Sequence, residues 1–452
     1  MQLRRSLGLG DVVLFFVVAG SNLQWVATAA AAGPSSIAVW IIGALAMFAP
    51  LSIAVVYLSS RHPDEGGLYV WSKIAFGPFA GFMTGWTYWA SNLPYFPALL
   101  YFAAGNALFV TGSKGGALSA SPWYFIAVAI GGLTLATIVN IYGLQVGKWL
   151  NNFGAVARWT VTLLLVALGA LAWWKFGPAT PVNATTIRPG FALKDLIFWS
   201  VIAFAWTGPE AIAFMGGEIK NPRRTIPVGL VLAAPAIAII YIAGTLSVLA
   251  VLAPHDVNAS AGVMQAISAA AARVGWSALV PIAALLVALS CIGSTGAWLG
   301  AVARIPFVAG IDHYLPPAFG RLHPRWGSPV VALITQAVIA AIFIFLGQGG
   351  TSVKGAYDVL VSSTVVITLV PFLFLFAAAL KLRAPWGVSL AALVGLGTTL
   401  AAIIFAGFPA DDDPNKPLAV VKVIGLTAAM ILSGVAIYAL GRRRALALSN
   451  GA

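Results

Sequence analysis

Stretches of about 20 mostly apolar residues, the length a helix needs to cross a bilayer, recur from Asp11 almost to the C-terminus. Set against the loop signals between them, they predict about twelve membrane spans, near residues 11–32, 36–59, 78–109, 122–141, 149–174, 194–217, 227–252, 276–303, 328–347, 356–380, 386–407 and 418–440. The expected fold class is an all-α membrane protein forming one transmembrane unit. Composition agrees: 60% of the 452 residues are hydrophobic and 8% charged, whereas soluble globular chains carry roughly 25% charged residues. Mean hydropathy is +0.95. A water-soluble fold is excluded, and no stretch is left over for a soluble domain. The longest segments between spans are Lys175 to Leu193 and Ala253 to Gly275, the second Ala-rich enough to hold a short surface helix.

A net charge of +13 would suit a nucleic-acid partner only if the basic residues shared one soluble face. They are scattered through short loops instead, so the expected surroundings are a lipid bilayer and no nucleic acid. Short cytoplasmic loops retain Lys and Arg, which gives orientation. With an even number of spans both termini share one side. The loops of that side, among them Arg4, Arg5, Arg61, Lys148, Arg223, Arg224, Arg325 and Arg442 to Arg444, hold about twice as many basic residues as the others. Both termini are therefore expected in the cytoplasm, with the chain in a cell membrane such as a bacterial inner membrane. Arg4, Arg5 and the Ala-rich stretch Ala27 to Ala32 imitate a cleavable secretory signal. Gly20, Ser21, Asn22 and Gln24 interrupt the apolar run, however, as a broken membrane helix would.

The lone Cys291 excludes an internal disulfide and a Cys-rich metal site. His62, His255, His313 and His323 fall in loops without a His or Cys at ligand spacing. Neither a metal nor a cofactor is expected, and no Ser–His pair within the membrane offers enzymatic chemistry.

Five spans precede the loop at Lys175, so a second block begun at the sixth span starts from the opposite face, the parity of an inverted repeat. The expected units are residues 8–176 and 190–383, followed by two extra helices in 384–441. The first span of each block carries a polar, Gly-containing interruption: Gly20-Ser21-Asn22-Leu23-Gln24 and Ala205-Trp206-Thr207-Gly208-Pro209-Glu210. Pro209 removes a helix N–H and clashes with the preceding turn, and Gly20 and Gly208 loosen the helix further. Two discontinuous helices in corresponding positions point to a transporter's binding site. The competing reading is two ordinary kinks in tight packing.

Of the twelve acidic residues, Glu210 alone lies well inside a span. An intramembrane charge costs about 2.5–3.5 kcal/mol on insertion scales and is a functional candidate by default. It is placed to attract a substrate ammonium or take up a proton, with a structural salt bridge as the alternative. Arg158 is the basic residue deep in a span. Its guanidinium stays protonated, which suits a fixed charge that holds helices through carbonyls, or one standing where another transporter binds a cation. Unwound helices free backbone groups. The N–H groups near Ser21, Asn22 and Leu23 suit a carboxylate, and the carbonyls near Phe204, Ala205 and Trp206 suit an ammonium. A zwitterion fits both. Phe204, Trp206 and Trp298 would wall it in, or serve as ordinary packing.

At these residues the chain resembles the amino acid-polyamine-organocation superfamily. The segment FAWTGPEAIAFMGGEIKNPRRTIP, Phe204 to Pro227, is similar to that family's sixth helix and its E-x-x-NP-x-R-x-x-P loop. PDEGGLYVWSKIAFGP, Pro63 to Pro78, is similar to the loop between helices two and three, and the segment Arg304 to Pro329 follows helix eight. The resemblance covers roughly residues 8 to 440 and implies the leucine-transporter-like five-plus-five inverted repeat with two additional helices. It implies that Phe204 is the aromatic gate of helix six, that Glu210 stands where many members carry an acid or Asn, and that Trp298 matches a helix-eight tryptophan of the arginine/agmatine antiporter branch. Leu93 to Leu108 resembles the third helix of the glutamate/GABA antiporter branch. Arg158 stands where several sodium-independent members carry a lysine in place of the sodium. One departure is plain: the family's G-S-G-I-F reads Gly20-Ser21-Asn22-Leu23-Gln24. Asn22 and Gln24 add side-chain donors where bare backbone is expected, which points to unusual carboxylate recognition.

The resulting expectation is a sodium-independent secondary active transporter of an amino acid or related amine, working by alternating access through proton symport or exchange, and not an enzyme. The alternative is a membrane-embedded amine-binding receptor or enzyme without transport.

Overall fold

The computed structural model describes residues 7–62, 67–311, 314–349, 352–408 and 416–450. Arg4, Arg5, His313 and the opening residues 63–66 of the PDEGG motif lie outside them. Twelve helices among these residues are long and apolar enough to cross a membrane: Leu9–Ala32, Ser36–Arg61, Pro78–Thr111, Pro122–Ile141, Val146–Phe176, Leu193–Glu218, Pro222–Val251, Leu279–Ala309, Val330–Gln348, Val353–Lys381, Trp386–Ala406 and Val420–Arg442. Each span expected from the sequence has its counterpart, with ends displaced by a few residues. Among the described residues no strand forms. A single parallel bridge joins Leu7 and Ile219.

Several helices start on proline, at Pro78, Pro122 and Pro222, where the missing N–H would have had no partner anyway. The Ala-rich connection after the seventh span holds the expected helix, Gly262–Val274. It lies on the bundle with Val263, Met264 and Ile267 buried, packed against the fifth, seventh and eighth spans.

The first, third and sixth spans are enclosed, with 83%, 78% and 72% of their apolar windows buried, whereas the eleventh and twelfth reach only 28% and 17%. The two broken spans are therefore central and the last two helices peripheral. The eleventh packs on the second, sixth and tenth spans, and the twelfth on the third and tenth. At the core the fifth and eighth spans cross closely through Gly154 and Gly293: a methyl added to either would lie 2.7–2.8 Å from the other's Cα. Lipid offers helices little hydrophobic reason to associate, so small residues that let backbones meet supply the packing instead.

The two ends of the bundle differ. Where the first span begins, Leu7 N–H donates to Glu218 O at 3.0 Å and Lys220 N–H to Leu7 O at 2.9 Å. Arg304 Nη2 donates to both Glu218 carboxylate oxygens, at 2.9 and 3.2 Å, and both side chains are buried. That end is stitched shut. At the other end of the first span, beside Thr28 and Ala31, a cavity of about 600 Å³ opens between the first, sixth and tenth spans.

Candidate functional site

Both central helices break at the same place in the bundle. The first stops at Gly20 and resumes at Leu23, with Ser21 and Asn22 extended between. The sixth stops at Ala205 and resumes at Pro209 as a tighter 3-10 segment. Gly208 turns the chain there with φ +125°, and a Cβ on it would meet the Ala19 carbonyl oxygen at 2.6 Å, so the two breaks touch through backbone that only glycine permits.

In a bilayer interior each backbone group released by a break needs a partner, and the partners define the site. Pro209 has no N–H to give the Ala205 carbonyl, and the Tyr241 hydroxyl donates to it at 2.8 Å. The same hydroxyl lies 3.3 Å from Gly20 O and accepts from Asn22 N–H at 3.2 Å. One phenol on the seventh span thus ties both breaks. Phe204 O accepts from Thr207 N–H at 2.9 Å and from Thr207 Oγ1 at 2.8 Å. Gly208 N–H turns to Glu210 Oε2 at 2.8 Å. Val18 O, whose helical donor would have been Asn22 N–H, accepts from Arg158 Nη1 at 2.9 Å. Ser21 Oγ donates to Val17 O, and Asn22 Oδ1 caps the second half-helix by accepting from Gln24 N–H at 3.3 Å.

This differs from the expectation of bare backbone waiting for a zwitterion. Asn22 N–H and the Phe204 and Ala205 carbonyls are engaged by Tyr241 and Thr207, as befits backbone groups that are costly to leave unmet inside a membrane.

Between the breaks lies a central cavity reduced to about 20 Å³, room for about one water. Asn22, Phe204, Ala205 and Trp298, four of the residues expected at a substrate site, line it together. Their neighbours there include Trp25, Tyr95 and Asn92, which sequence reasoning missed because each looks like packing on an apolar helix. Asn22 Nδ2 donates to the Tyr95 hydroxyl at 3.0 Å, and Trp298 Nε1 is buried with no partner.

Other expected site residues sit one layer back. Trp206 points away from the cavity: its indole N–H donates to Trp40 O at 3.0 Å, and its ring stands edge-on to Trp40 and Tyr241. It can do so because Gly43 leaves the room; a Cβ there would lie 2.7 Å from the indole. Glu210 is fully buried, with Oε1 accepting from the Tyr88 hydroxyl at 2.6 Å and Oε2 from Gly208 as above. Its carboxylate braces the break and does not wall the cavity. Leu23 and Gln24 are buried beyond it, and neither amide atom of the Gln24 side chain has a partner. Gly20 sits tight against Ile237, whose Cδ1 would be 2.8 Å from an added Cβ.

Arg158, fully buried, is one turn beyond the Gly154 crossing and reaches from the fifth span to the first and eighth. Besides Val18 O it donates to Ser294 Oγ and, at 3.5 Å, to Ser290 O. Its charge therefore fastens three helices at the first break.

Trp25 lines both the central cavity and the wide one at the open end. Its ring meets Phe204 edge-on at 5.4 Å, so this pair forms the wall between the two.

Residues 6–431 match the family model described as amino acid permease. An uncharacterized transporter of Legionella pneumophila is 27% identical over 433 residues, 91% of this chain and 92% of the relative. A second uncharacterized transporter, from Mycobacterium tuberculosis, is 29% identical over 349 residues, covering 75% of this chain and 74% of its own. A glutamate/serine transporter of Bacillus subtilis is 26% identical over 376 residues, 77% of this chain and 67% of that protein.

Proposed function

The chain belongs to the amino acid permease family, and from that premise we propose that it carries an amino acid across a cell membrane as a secondary active transporter, one bundle of helices rocking against another. The observation that carries this reading is the meeting of two helix breaks at one small cavity: Asn22 from the first and Ala205 and Thr207 from the second all line it. A site of this kind at mid-span, closed at one end by the Glu218–Arg304 pair and at the other by the Trp25–Phe204 contact, is what exposure to one side at a time requires. With the termini on the cytoplasmic side, the stitched end faces the cytoplasm and the wide cavity faces outward. The five-plus-five arrangement of residues 8–176 and 190–383 accounts for two breaks entering from opposite faces.

Coupling runs through Glu210 in this reading. Its two oxygens hold Tyr88 of the third span and Gly208 of the sixth, so protonation would remove an acceptor from one of them and loosen the break. Arg158 fills with a fixed charge the place a coupling cation would take, which makes transport sodium-independent.

Purified protein in proteoliposomes tests this. Uptake of labelled amino acids driven by an imposed pH gradient indicates proton symport, and uptake that requires amino acid inside indicates exchange. Glu210→Gln should flatten the pH dependence. Unchanged uptake at every pH in that variant would remove Glu210 from the mechanism, and absence of any amino acid uptake would remove the transport reading itself.

A further inference from the structure

The polar lining of the central cavity is entirely uncharged, and several of its groups keep a hydrogen-bonding role to offer. Thr207 Oγ1 donates to Phe204 O and Thr364 Oγ1 to Leu360 O at 2.8 Å, which leaves both oxygens as acceptors. Asn92 Nδ2 donates to Tyr88 O at 2.8 Å, leaving its carbonyl oxygen as an acceptor as well. Donors among the lining residues are Trp298 Nε1, buried and without a partner, and the Tyr95 hydroxyl, whose oxygen already accepts from Asn22. Acceptors for an ammonium and donors for a carboxylate are therefore both present, and all are neutral.

The two ionisable residues at the breaks present no charge at the cavity wall. Glu210 and Arg158 carry opposite charges, neither lines the cavity, and each is turned onto other partners, Glu210 onto Tyr88 and Gly208, Arg158 onto Val18 and Ser294. A side chain with a third charge would enter a narrow, aromatic-walled space whose lining supplies no counter-ion, which is strongly unfavourable. The rings also leave only about 20 Å³ open, so a short side chain fits with the least displacement of Trp25, Phe204 and Trp298.

We infer that the site selects zwitterions with a small uncharged side chain, of the serine, threonine or alanine kind, and rejects side chains that carry a charge, whether acidic or basic. This rests on the transport reading above and narrows it. It also separates this chain from its relative of Bacillus subtilis, whose name includes glutamate: the serine part of that name fits this cavity and the glutamate part does not.

Competition against uptake of labelled L-serine, L-threonine and L-alanine by the full-length protein in proteoliposomes decides it, with unlabelled L-serine, L-threonine, L-alanine, L-glutamate and L-lysine as competitors. Glutamate and lysine should compete on the order of a hundred-fold more weakly than the best neutral amino acid. Equal competition by either, or direct uptake of labelled glutamate or lysine at the neutral rate, overturns the inference and leaves the transport reading standing. No uptake of any of the five overturns the inference, and the transport reading falls with it only if no other amino acid is taken up either. A second variant probes the charge directly: Asn92→Asp places a carboxylate on the cavity wall. Ligand-induced thermal stabilisation of that variant should appear with L-lysine and fall with L-serine relative to the unaltered protein. An unchanged pattern of stabilisation in a folded Asn92→Asp protein also overturns the inference.

Discussion

Single residues at the breaks have roles that follow from what a broken helix leaves unpaired. Tyr241 is the clearest: its ring stacks on Trp40 with centroids 4.1 Å apart, while its hydroxyl serves Ala205 O and Asn22 N–H. Tyr241→Phe keeps the stack and strands a buried carbonyl, an expected loss of about 1–3 kcal/mol read as a lowered thermal midpoint, together with a fall in transport larger than the loss of folded protein explains. A variant with unchanged transport would show that the two breaks need no tie. Gly208→Ala is the backbone counterpart. A residue with a Cβ at φ +125° facing Ala19 O at 2.6 Å carries on the order of 1–3 kcal/mol of strain before any clash is counted, so this variant should fall below Tyr241→Phe in stability. These roles were only partly legible in the sequence. Gly208, Pro209 and Glu210 stand out because they break helical pattern, whereas Tyr241 lies on an unbroken apolar helix and nothing in its neighbours distinguishes it from a packing aromatic.

At the scale of elements, the Glu218–Arg304 pair holds the end of the sixth span to the end of the eighth, and Leu7 is threaded beside it. Removing one partner of a buried ion pair leaves an uncompensated charge, which costs about 3–5 kcal/mol, while replacing both by apolar residues is often neutral. Arg304→Met and Glu218→Leu should each lower the thermal midpoint strongly, and the double variant should recover most of the loss. Additive losses in that cycle would mean that the two residues act separately. The sequence displayed this pair as the acid of an E-x-x-NP-x-R motif and a basic residue 86 positions later, with no sign that they meet. The close crossing of the fifth and eighth spans at Gly154 and Gly293 was equally hidden, since glycines are common in membrane helices and only two facing ones make a contact.

For the whole molecule the same geometry makes a statement about ions. A guanidinium that already satisfies Val18 O and Ser294 Oγ sets a fixed positive charge between the first and eighth spans, and in the proposed mechanism it stands in for a coupling cation. Replacement of external sodium by choline should therefore leave proteoliposome uptake within about two-fold of its original rate, a ratio worth only a few tenths of a kcal/mol. A steep dependence on sodium would mean that a cation binds elsewhere. The orientation implied by the basic loops is checked by protease access to the C-terminal segment after Arg442 in right-side-out and inverted vesicles, with cleavage expected only in the inverted ones.

Twelve spans, their approximate ends, the place of both breaks and the family were set by the sequence alone, because apolar length, proline, glycine and an isolated acid act locally and leave their mark within a turn or two of chain. Which groups the breaks expose was decided only by tertiary structure. A carbonyl freed by Pro209 finds its donor on Tyr241, a carbonyl freed near Asn22 finds Arg158, and Trp206 turns toward Trp40 because Gly43 leaves room. Each of these partners lies far along the chain, and a bilayer that offers no water makes such distant partners obligatory without showing in advance which residue will supply them.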